Sequence, residues 1–218
     1  MSYQFVREPL NSEECDRIVN ACRSFQEKLV VWVLLDTGLR VGEFCNLRKE
    51  QIHWQENRLV VWGKGGKERR VGFSARLAAE LEAYLTKRTR GLAQIGEERC
   101  PWVFPNDRGG CLTSKAVQQR IARYAAAAGI GSVRVTPHVL RHTFAVQFVR
   151  AGGSVFHLQR ILGHSSLEMS RRYCELAETD WLTRHQELSP LATMDLKLPG
   201  PRRLPRSHDQ TTAGRRSS

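Results

Sequence analysis

The sequence predicts a mostly α-helical protein with one small antiparallel β-sheet, an α+β class, on three observations. Several segments carry apolar residues three or four positions apart, which places them on one face of a helix. Many of these segments begin at a side chain that can cap a helix, and several end at glycine. Two short β-favouring runs flank a glycine-rich turn, which is typical of a hairpin.

The amino-terminal part predicts two helices and then a break. The first helix is expected from about residue 12 to residue 23, after an asparagine and a serine that can cap it. The second is expected over residues 27–37, whose nearly continuous apolar surface must be buried. Gly38 ends it, so Arg40 lies between this helix and a short one that carries Glu43. From these residues alone, a surface ion pair between Arg40 and Glu43 is as good an interpretation as a functional site that contains Arg40.

The hairpin is predicted from residues 58–62 and 68–73, around a turn that contains Lys64 and Lys67. A glycine-rich loop with lysines is also what a phosphate cradle looks like. This turn lacks the four-residue spacer and the terminal Ser or Thr of a P-loop, so nucleotide binding is not predicted.

The middle of the chain predicts two amphipathic helices with irregular structure between them. Ser74 caps a helix that is expected to reach about residue 87, and residues 89–100 are expected to form a loop. A short buried strand or extended segment is expected at residues 102–105, followed by a turn. Thr113 caps the second helix, which is expected to end near residue 128. One face of it is basic and polar, a pattern that usually indicates a solvated surface: Lys115, Gln119, Arg120 and Arg123.

Four further helices are predicted in the carboxy-terminal part. The first begins at Pro137, where the missing N–H of proline costs nothing, and ends at Gly152. The second is expected over residues 154–162, a short third one before residue 173, and the last over residues 179–187. The composition then changes, and residues 198–218 are rich in proline, arginine and serine, which is typical of a mobile basic tail.

The most distinctive chemistry lies between residues 136 and 173. His138 and Arg141 stand three apart on a helix and therefore share a face. A guanidinium can bind two phosphate oxygens at once, and a neighbouring imidazole can donate a hydrogen bond to the same group. His164 follows a helix end, and Tyr173 stands nine residues later. A tyrosine held beside such an anion site can act as a nucleophile.

Bulk properties favour a nucleic-acid partner and exclude several classes. The chain has 218 residues, 41% of them hydrophobic, and a formal net charge of +12, which suits a polyanionic partner. Its six cysteines form no CxxC pair and no zinc-type spacing, so they are expected to be reduced thiols. The longest apolar run, residues 29–35, is too short to cross a bilayer, and no signal peptide is recognised. A soluble, intracellular protein without membrane association is expected.

Four motifs in the same order resemble those of the tyrosine recombinases, also called phage-type integrases. They are Thr-Gly-Leu-Arg-Val-Gly-Glu (37–43), Gly-Lys-Gly-Gly-Lys-Glu-Arg (63–69), Thr-Pro-His-Val-Leu-Arg-His-Thr-Phe-Ala (136–145) and Leu-Gly-His-Ser-Ser (162–166) with Tyr173. The resemblance implies the tyrosine recombinase catalytic-domain fold over residues 1–188, followed by a flexible basic tail over residues 189–218. It also implies DNA strand cleavage and rejoining through a covalent 3′-phosphotyrosyl intermediate, without metal, ATP or another cofactor.

The resemblance assigns roles to individual residues. Arg40 and Arg141 would neutralise the charge that develops on the phosphorane, and Glu43 would orient Arg40 or support the local fold. Tyr173 would attack the phosphorus.

Proton transfer would fall to lysine and histidine. Lys64 would protonate the departing 5′ oxygen, and Lys67 is the second candidate for that role. His138 would help to accept the tyrosine proton, while His164 would donate a hydrogen bond to the phosphate. His138 and His142 also stand four apart, as in zinc proteases, but Val139 replaces the required glutamate, so His142 is expected to pack or to support the site.

The resemblance also implies partners. Double-stranded DNA would be the substrate, the basic helix at residues 113–128 would contact it, and four copies would assemble on it, in the cytoplasm with the nucleoid. No segment resembling the family's upstream DNA-clamping domain precedes residue 7. The expectation is therefore a minimal recombinase, a fragment, or a chain that an accessory DNA-binding partner helps to hold DNA. Two alternatives remain: a type IB topoisomerase-like enzyme that relaxes DNA, and a catalytically silent DNA-binding module.

Overall fold

The computed structural model describes residues 9–63, 66, 68–92, 100–131, 134–176, 185, 187 and 189. The chain divides into two compact units, residues 1–179 and residues 180–218, and the fold below is that of the first. The predicted helix at residues 179–187 and the predicted tail fall almost entirely outside the described residues. The predicted domain boundary at residue 188 therefore stays a prediction.

Eight α-helices occur in the part of the chain that the structure describes, and none of them is long and apolar enough to cross a membrane. Six begin at a side chain that accepts a hydrogen bond from a backbone N–H in the first turn, namely Asn11, Ser24, Ser74, Thr113, Thr136 and Ser154. Such caps satisfy donors that have no partner within the helix. The helices are α1 (Ser12–Ala21), α2 (Phe25–Thr37), α3 (Val41–Cys45), α4 (Ala75–Leu92), α5 (Ser114–Ala127), α6 (Pro137–Arg150), α7 (Val155–Leu162) and α8 (Glu168–Leu176).

The predicted hairpin is present and belongs to a three-stranded antiparallel sheet in the order β1 (Ile52–His53), β2 (Arg58–Trp62) and β3 (Glu68–Gly72). Val61 of β2 pairs with Arg69 of β3, and Leu59 pairs with Val71. The strand β1 was not predicted, because two residues are too few to show an alternating pattern.

The core is built around α2, which packs against α1, α4 and α6. Five apolar side chains of α2 are buried, as its continuous apolar surface predicts: Leu29, Val30, Val31, Val33 and Leu34. A second, smaller cluster joins α6, α7 and α8, and Tyr173 is one of its buried members. The last three helices therefore form one packed unit around the predicted nucleophile.

Two predicted elements differ from the structure. The helix α4 continues to Leu92 instead of ending near residue 87, and Arg88 in its extended part donates to the carbonyl oxygens of Trp102 and Val103. Of the two forms predicted for residues 102–105, the strand is absent, and Trp102 and Pro105 make isolated bridges with Arg48 and Cys111. Both differences depend on contacts between distant segments, which local periodicity does not reveal.

Candidate active site

Three arginine side chains bind at the carboxy-terminal end of α7. Three consecutive backbone carbonyls, at residues 161–163, each accept a hydrogen bond from a different guanidinium. The three arginines come from the break after α2, from β3 and from α6. The bonds join Arg69 Nε to Ile161 O (2.8 Å), Arg141 Nη2 to Leu162 O (2.7 Å) and Arg40 Nη2 to Gly163 O (2.9 Å).

This helix end attracts cations for a local reason. The last carbonyls of a helix have no partner within it, and the dipole gives that end a partial negative charge. The helix stops because Gly163 takes a left-handed conformation (φ 63°), which residues with a side chain rarely adopt. The Leu-Gly-His motif thus supplies two of the three acceptor carbonyls, those of Leu162 and Gly163, and His164 follows them directly.

Arg141 is the most enclosed of the three, with only 6% of its surface exposed. Its Nη1 donates to the carbonyl oxygen of Gly38 at 2.6 Å, and Gly38 is the residue that ends α2. Two helix ends therefore hold one guanidinium. Burial lowers the pKa of Arg141 to about 10, with smaller contributions from the charges of Arg40 and Arg69. Arg141 is still cationic at neutral pH.

Glu43 links Arg40 and Arg69. Its carboxylate accepts from Arg40 Nη1 (3.0 Å) and from the Arg40 backbone N–H (2.7 Å), and both terminal nitrogens of Arg69 donate to it. Burial alone would raise the pKa of Glu43, but the hydrogen bonds and charge of Arg69, followed by the hydrogen bonds of Arg40, hold it below its ordinary value. Three guanidiniums and one carboxylate leave two formal positive charges at this place.

Arg69 is the residue of this cluster that the sequence does not single out, because it stands at the end of the glycine-lysine motif and has no assigned role there. Its side chain is 9% exposed and joins β3 to both α3 and α7. A signal was present: residues 69 and 71 share one face of β3, and residue 71 is an apolar valine. An arginine on the inward face of a strand needs a buried partner.

His164 lies within hydrogen-bond distance of two groups. Its Nδ1 is 2.9 Å from Ser170 Oγ, and its Nε2 is 3.4 Å from Arg141 Nη2. Burial, followed by the charges of Arg141, Arg40 and Arg69, lowers the pKa of His164 to about 4. The imidazole is therefore neutral at physiological pH.

Tyr173 lies on α8 with 9% of its surface exposed. Its ring centroid is 6.2 Å from that of His164, with nearly parallel planes, and 5.2 Å from that of His142. Burial raises the pKa of Tyr173, and the charge of Arg141 opposes this only in part. The phenol is therefore protonated at neutral pH.

Of the six predicted catalytic residues, Arg40, Arg141, His164 and Tyr173 are brought together. His138 lies in the first turn of α6 with an exposed side chain. Lys64 and the second candidate, Lys67, fall outside the described residues. Among the residues that are described, no group of three or more His, Cys, Asp or Glu side chains could hold a metal ion, and the predicted absence of a metal stays a prediction.

The predicted DNA-contacting face of α5 is partly committed to other contacts. Lys115 and Gln119 are exposed, and Arg120 is half-buried. Arg123 donates to Glu27 of α2 at 2.8 Å, yet 65% of its side chain is exposed. Lys115, Gln119 and Arg123 are therefore exposed on this face, and the predicted DNA contact stays a prediction.

Glu43→Gln is expected to lower the free energy of unfolding by roughly 3 kcal/mol at neutral pH, because Arg69 would lose its buried carboxylate partner. The folded-state pKa of Glu43 lies below its ordinary value of 4.5, so its stabilising effect is present above that value and is lost as the pH falls through the folded-state pKa. Urea unfolding of both proteins from neutral to acid pH measures the difference, which we expect to shrink in acid. A constant difference would contradict an ionised Glu43.

Gly163→Ala is expected to destabilise the chain in two ways. The left-handed conformation costs about 1–2 kcal/mol for alanine, and the new Cβ would stand 2.9 Å from Arg69 Cδ, so that arginine must move. Gly129→Ala is the matched control, since Gly129 has a similar φ of 67° but open space around it. Urea unfolding should show a larger loss for Gly163→Ala, and equal losses would show that Arg69 adapts freely.

Comparison with known proteins agrees with this architecture. A model of the phage integrase family matches residues 8–180. The tyrosine recombinase XerD of Vibrio cholerae is 35% identical over 167 residues, which are 77% of this chain and 55% of XerD. The crystal structure of XerA recombinase has a TM-score of 0.70 at 30% identity and covers 84% of this chain and 65% of that one. The catalytic domain of bacteriophage HP1 integrase has a TM-score of 0.60 at 25% identity and covers 86% and 98%.

These matches confirm the predicted fold class, a mostly helical catalytic domain with a small antiparallel sheet. The chain spans little more than half the length of the XerD protein that it matches. The family model covers most of the chain and includes the three-arginine cluster, His164 and Tyr173. The chain belongs to the phage integrase family.

Proposed function

We propose that this chain cleaves and rejoins strands of double-stranded DNA through a covalent 3′-phosphotyrosyl intermediate on Tyr173, as a site-specific recombinase. The observation that carries the proposal is the convergence of Arg40, Arg141, His164 and Tyr173 around the end of α7. The relative XerD is named a tyrosine recombinase, which supports the same chemistry.

The arginine cluster would bind the scissile phosphate. Its two uncompensated positive charges match an anion, and a guanidinium can bind two phosphate oxygens at once. Arg40, with 42% of its side chain exposed, is the more accessible of the two predicted phosphate ligands, whereas Arg141 is enclosed. Because helix packing already holds both guanidiniums, little reorganisation is needed when charge develops on the phosphorane.

Tyr173 would attack the phosphorus and release a free 5′ hydroxyl. Its proton has to leave during the attack, and His138 is the proposed acceptor. The alkoxide leaving group is far more basic than a phenolate, so a general acid is needed, which typically contributes ~10²–10⁴-fold. Lys64 is proposed for that role, and His164 would donate a hydrogen bond to the phosphate.

The reaction conserves bond energy. One phosphodiester is exchanged for another, so a 5′ hydroxyl from a second strand can reverse the step and join a new partner. This reaction would require neither ATP nor a metal ion. We further propose that four copies of the chain assemble on the DNA and that the protein is associated with the nucleoid. An accessory DNA-binding partner would strengthen its binding to DNA.

The test uses duplexes that tile the DNA flanking the gene, each nicked so that the released 5′-hydroxyl fragment diffuses away. Incubation with EDTA and separation in denaturing gel should reveal a covalent complex with the strand that carries the 3′ phosphate. Attachment to the 5′ side, or no complex on any duplex, would contradict the proposal. Relaxation of a supercoiled plasmid without strand exchange would favour a topoisomerase.

A further inference from the structure

Ser170 is a buried polar residue next to the proposed site. It lies on α8, one helical turn before Tyr173, and its surface is 0% exposed. Its Oγ is 2.9 Å from His164 Nδ1. A hydroxyl can donate or accept a hydrogen bond, so this contact is compatible with a proton on either ring nitrogen of His164.

The other ring nitrogen decides which form is present in the free chain. Arg141 Nη2 faces His164 Nε2 at 3.4 Å, and a guanidinium can only donate. Nε2 must therefore accept. A neutral imidazole carries one N–H, so the proton is on Nδ1 and is donated to Ser170 Oγ.

A phosphate in the site requires the opposite form. Phosphate oxygens accept, so His164 can bind one only with a proton on Nε2, and Nδ1 must then accept from a donor. In the described contacts of His164, the hydroxyl of Ser170 is the group at Nδ1 that can reverse its direction.

We propose that Ser170 is a positioning residue that lets His164 change tautomer when a phosphate binds. His164 gives its Nδ1 proton to water and takes a proton from water at Nε2, so the ring stays neutral and no net proton is gained or lost. The Ser170 hydroxyl turns from acceptor to donor, and the Arg141 N–H that faced Nε2 turns to the phosphate. This inference rests on the proposed function, because it assigns the phosphate to the arginine cluster.

The direct test is ¹⁵N NMR of the full chain with labelled histidine, where the two tautomers give different nitrogen shifts. The probe is inorganic phosphate, titrated against chloride at constant ionic strength, and a His164→Asn spectrum assigns the signals. We expect a proton on Nδ1 in the free chain and on Nε2 when phosphate is bound. A proton on Nε2 in both states, a proton on Nδ1 in both, or an imidazolium in the bound state would overturn the proposal.

Substitutions give an independent test with the nicked duplexes. Ser170→Ala is expected to slow covalent complex formation about tenfold, the value of one hydrogen bond near the upper end of its range, and to leave bound His164 as a mixture of tautomers. Ser170→Thr keeps the hydroxyl and should restore both the rate and the single tautomer. Thr143→Val is the matched control, because it removes another buried hydroxyl, one that bonds Val139 and Leu10.

The outcomes separate the two proposals. If the wild-type chain forms the covalent complex but Ser170→Ala equals it in rate and tautomer, Ser170 has no such role and the proposed function stands. If His164 changes tautomer with phosphate but no duplex gives a covalent complex, the inference about Ser170 stands and the proposed function fails.

Discussion

Tyr173→Phe is expected to abolish the covalent DNA complex completely while the chain stays folded. The phenolic oxygen is the atom that would be joined to the phosphorus, and phenylalanine lacks it. The ring would still fill the apolar cluster of α6, α7 and α8, so the free energy of unfolding should change by no more than about 1 kcal/mol. The measurement is the yield of covalent complex with the nicked duplexes, combined with urea unfolding.

Tyr84→Phe is the matched control for this experiment. Tyr84 is also a buried tyrosine, but it packs on Phe104 in the core, away from α7. The Tyr84→Phe protein should form the covalent complex at the wild-type rate. A covalent complex that persists in the Tyr173→Phe protein would show that another residue is the nucleophile.

Arg141→Lys is expected to reduce the rate of covalent complex formation by roughly 10²–10³-fold, the usual effect of removing one pre-positioned donor from a transition-state site. Lysine keeps the positive charge but not the planar fork. It cannot hold the carbonyls of Gly38 and Leu162 and also face a phosphate, as the geometry of Arg141 allows. Single-turnover rates at saturating duplex separate this loss from weaker DNA binding.

The control for Arg141→Lys is Arg150→Lys on the same helix. Arg150 lies in the last turn of α6 and is exposed, so the same change of side chain should leave the rate unaltered. Because Arg141 is buried, the variant has to be shown folded by circular dichroism. A folded Arg141→Lys protein that reacts within threefold of wild type would remove Arg141 from the proposed phosphate site.

Much of the secondary structure could be predicted from local chemistry. The helices α5 and α7 were predicted to within a residue or two, because Thr113 and Ser154 are caps whose hydrogen bonds involve only the next few residues. The strand β1 and the last turns of α4 were missed. Both depend on contacts with other parts of the fold. The strand β1 forms by pairing with β2, and the end of α4 is held by the bonds from Arg88 to Trp102 and Val103.

The residues of the candidate site also fall into those that the sequence predicts and those that only the structure reveals. Arg40, Arg141, His164 and Tyr173 were predicted from residue types and the family motifs, and the structure brings them together. Arg69 and Ser170 were not, because the one signal for Arg69 is its place on the same strand face as Val71, and a serine three residues before a tyrosine is not unusual in a sequence. Their roles depend on burial against Glu43 and His164.

By itself, the sequence determined which reactive groups this protein has and the local scaffolds that carry them: the caps, the glycine that ends α7 and the apolar stripes that pack the helices. Only the tertiary structure decided that one helix end receives three arginines. The bonds from Arg40 to Gly163 and from Arg69 to Ile161 join residues 123 and 92 positions apart. Such contacts follow from the way the helices and the sheet pack together, and a local pattern contains no information on that packing.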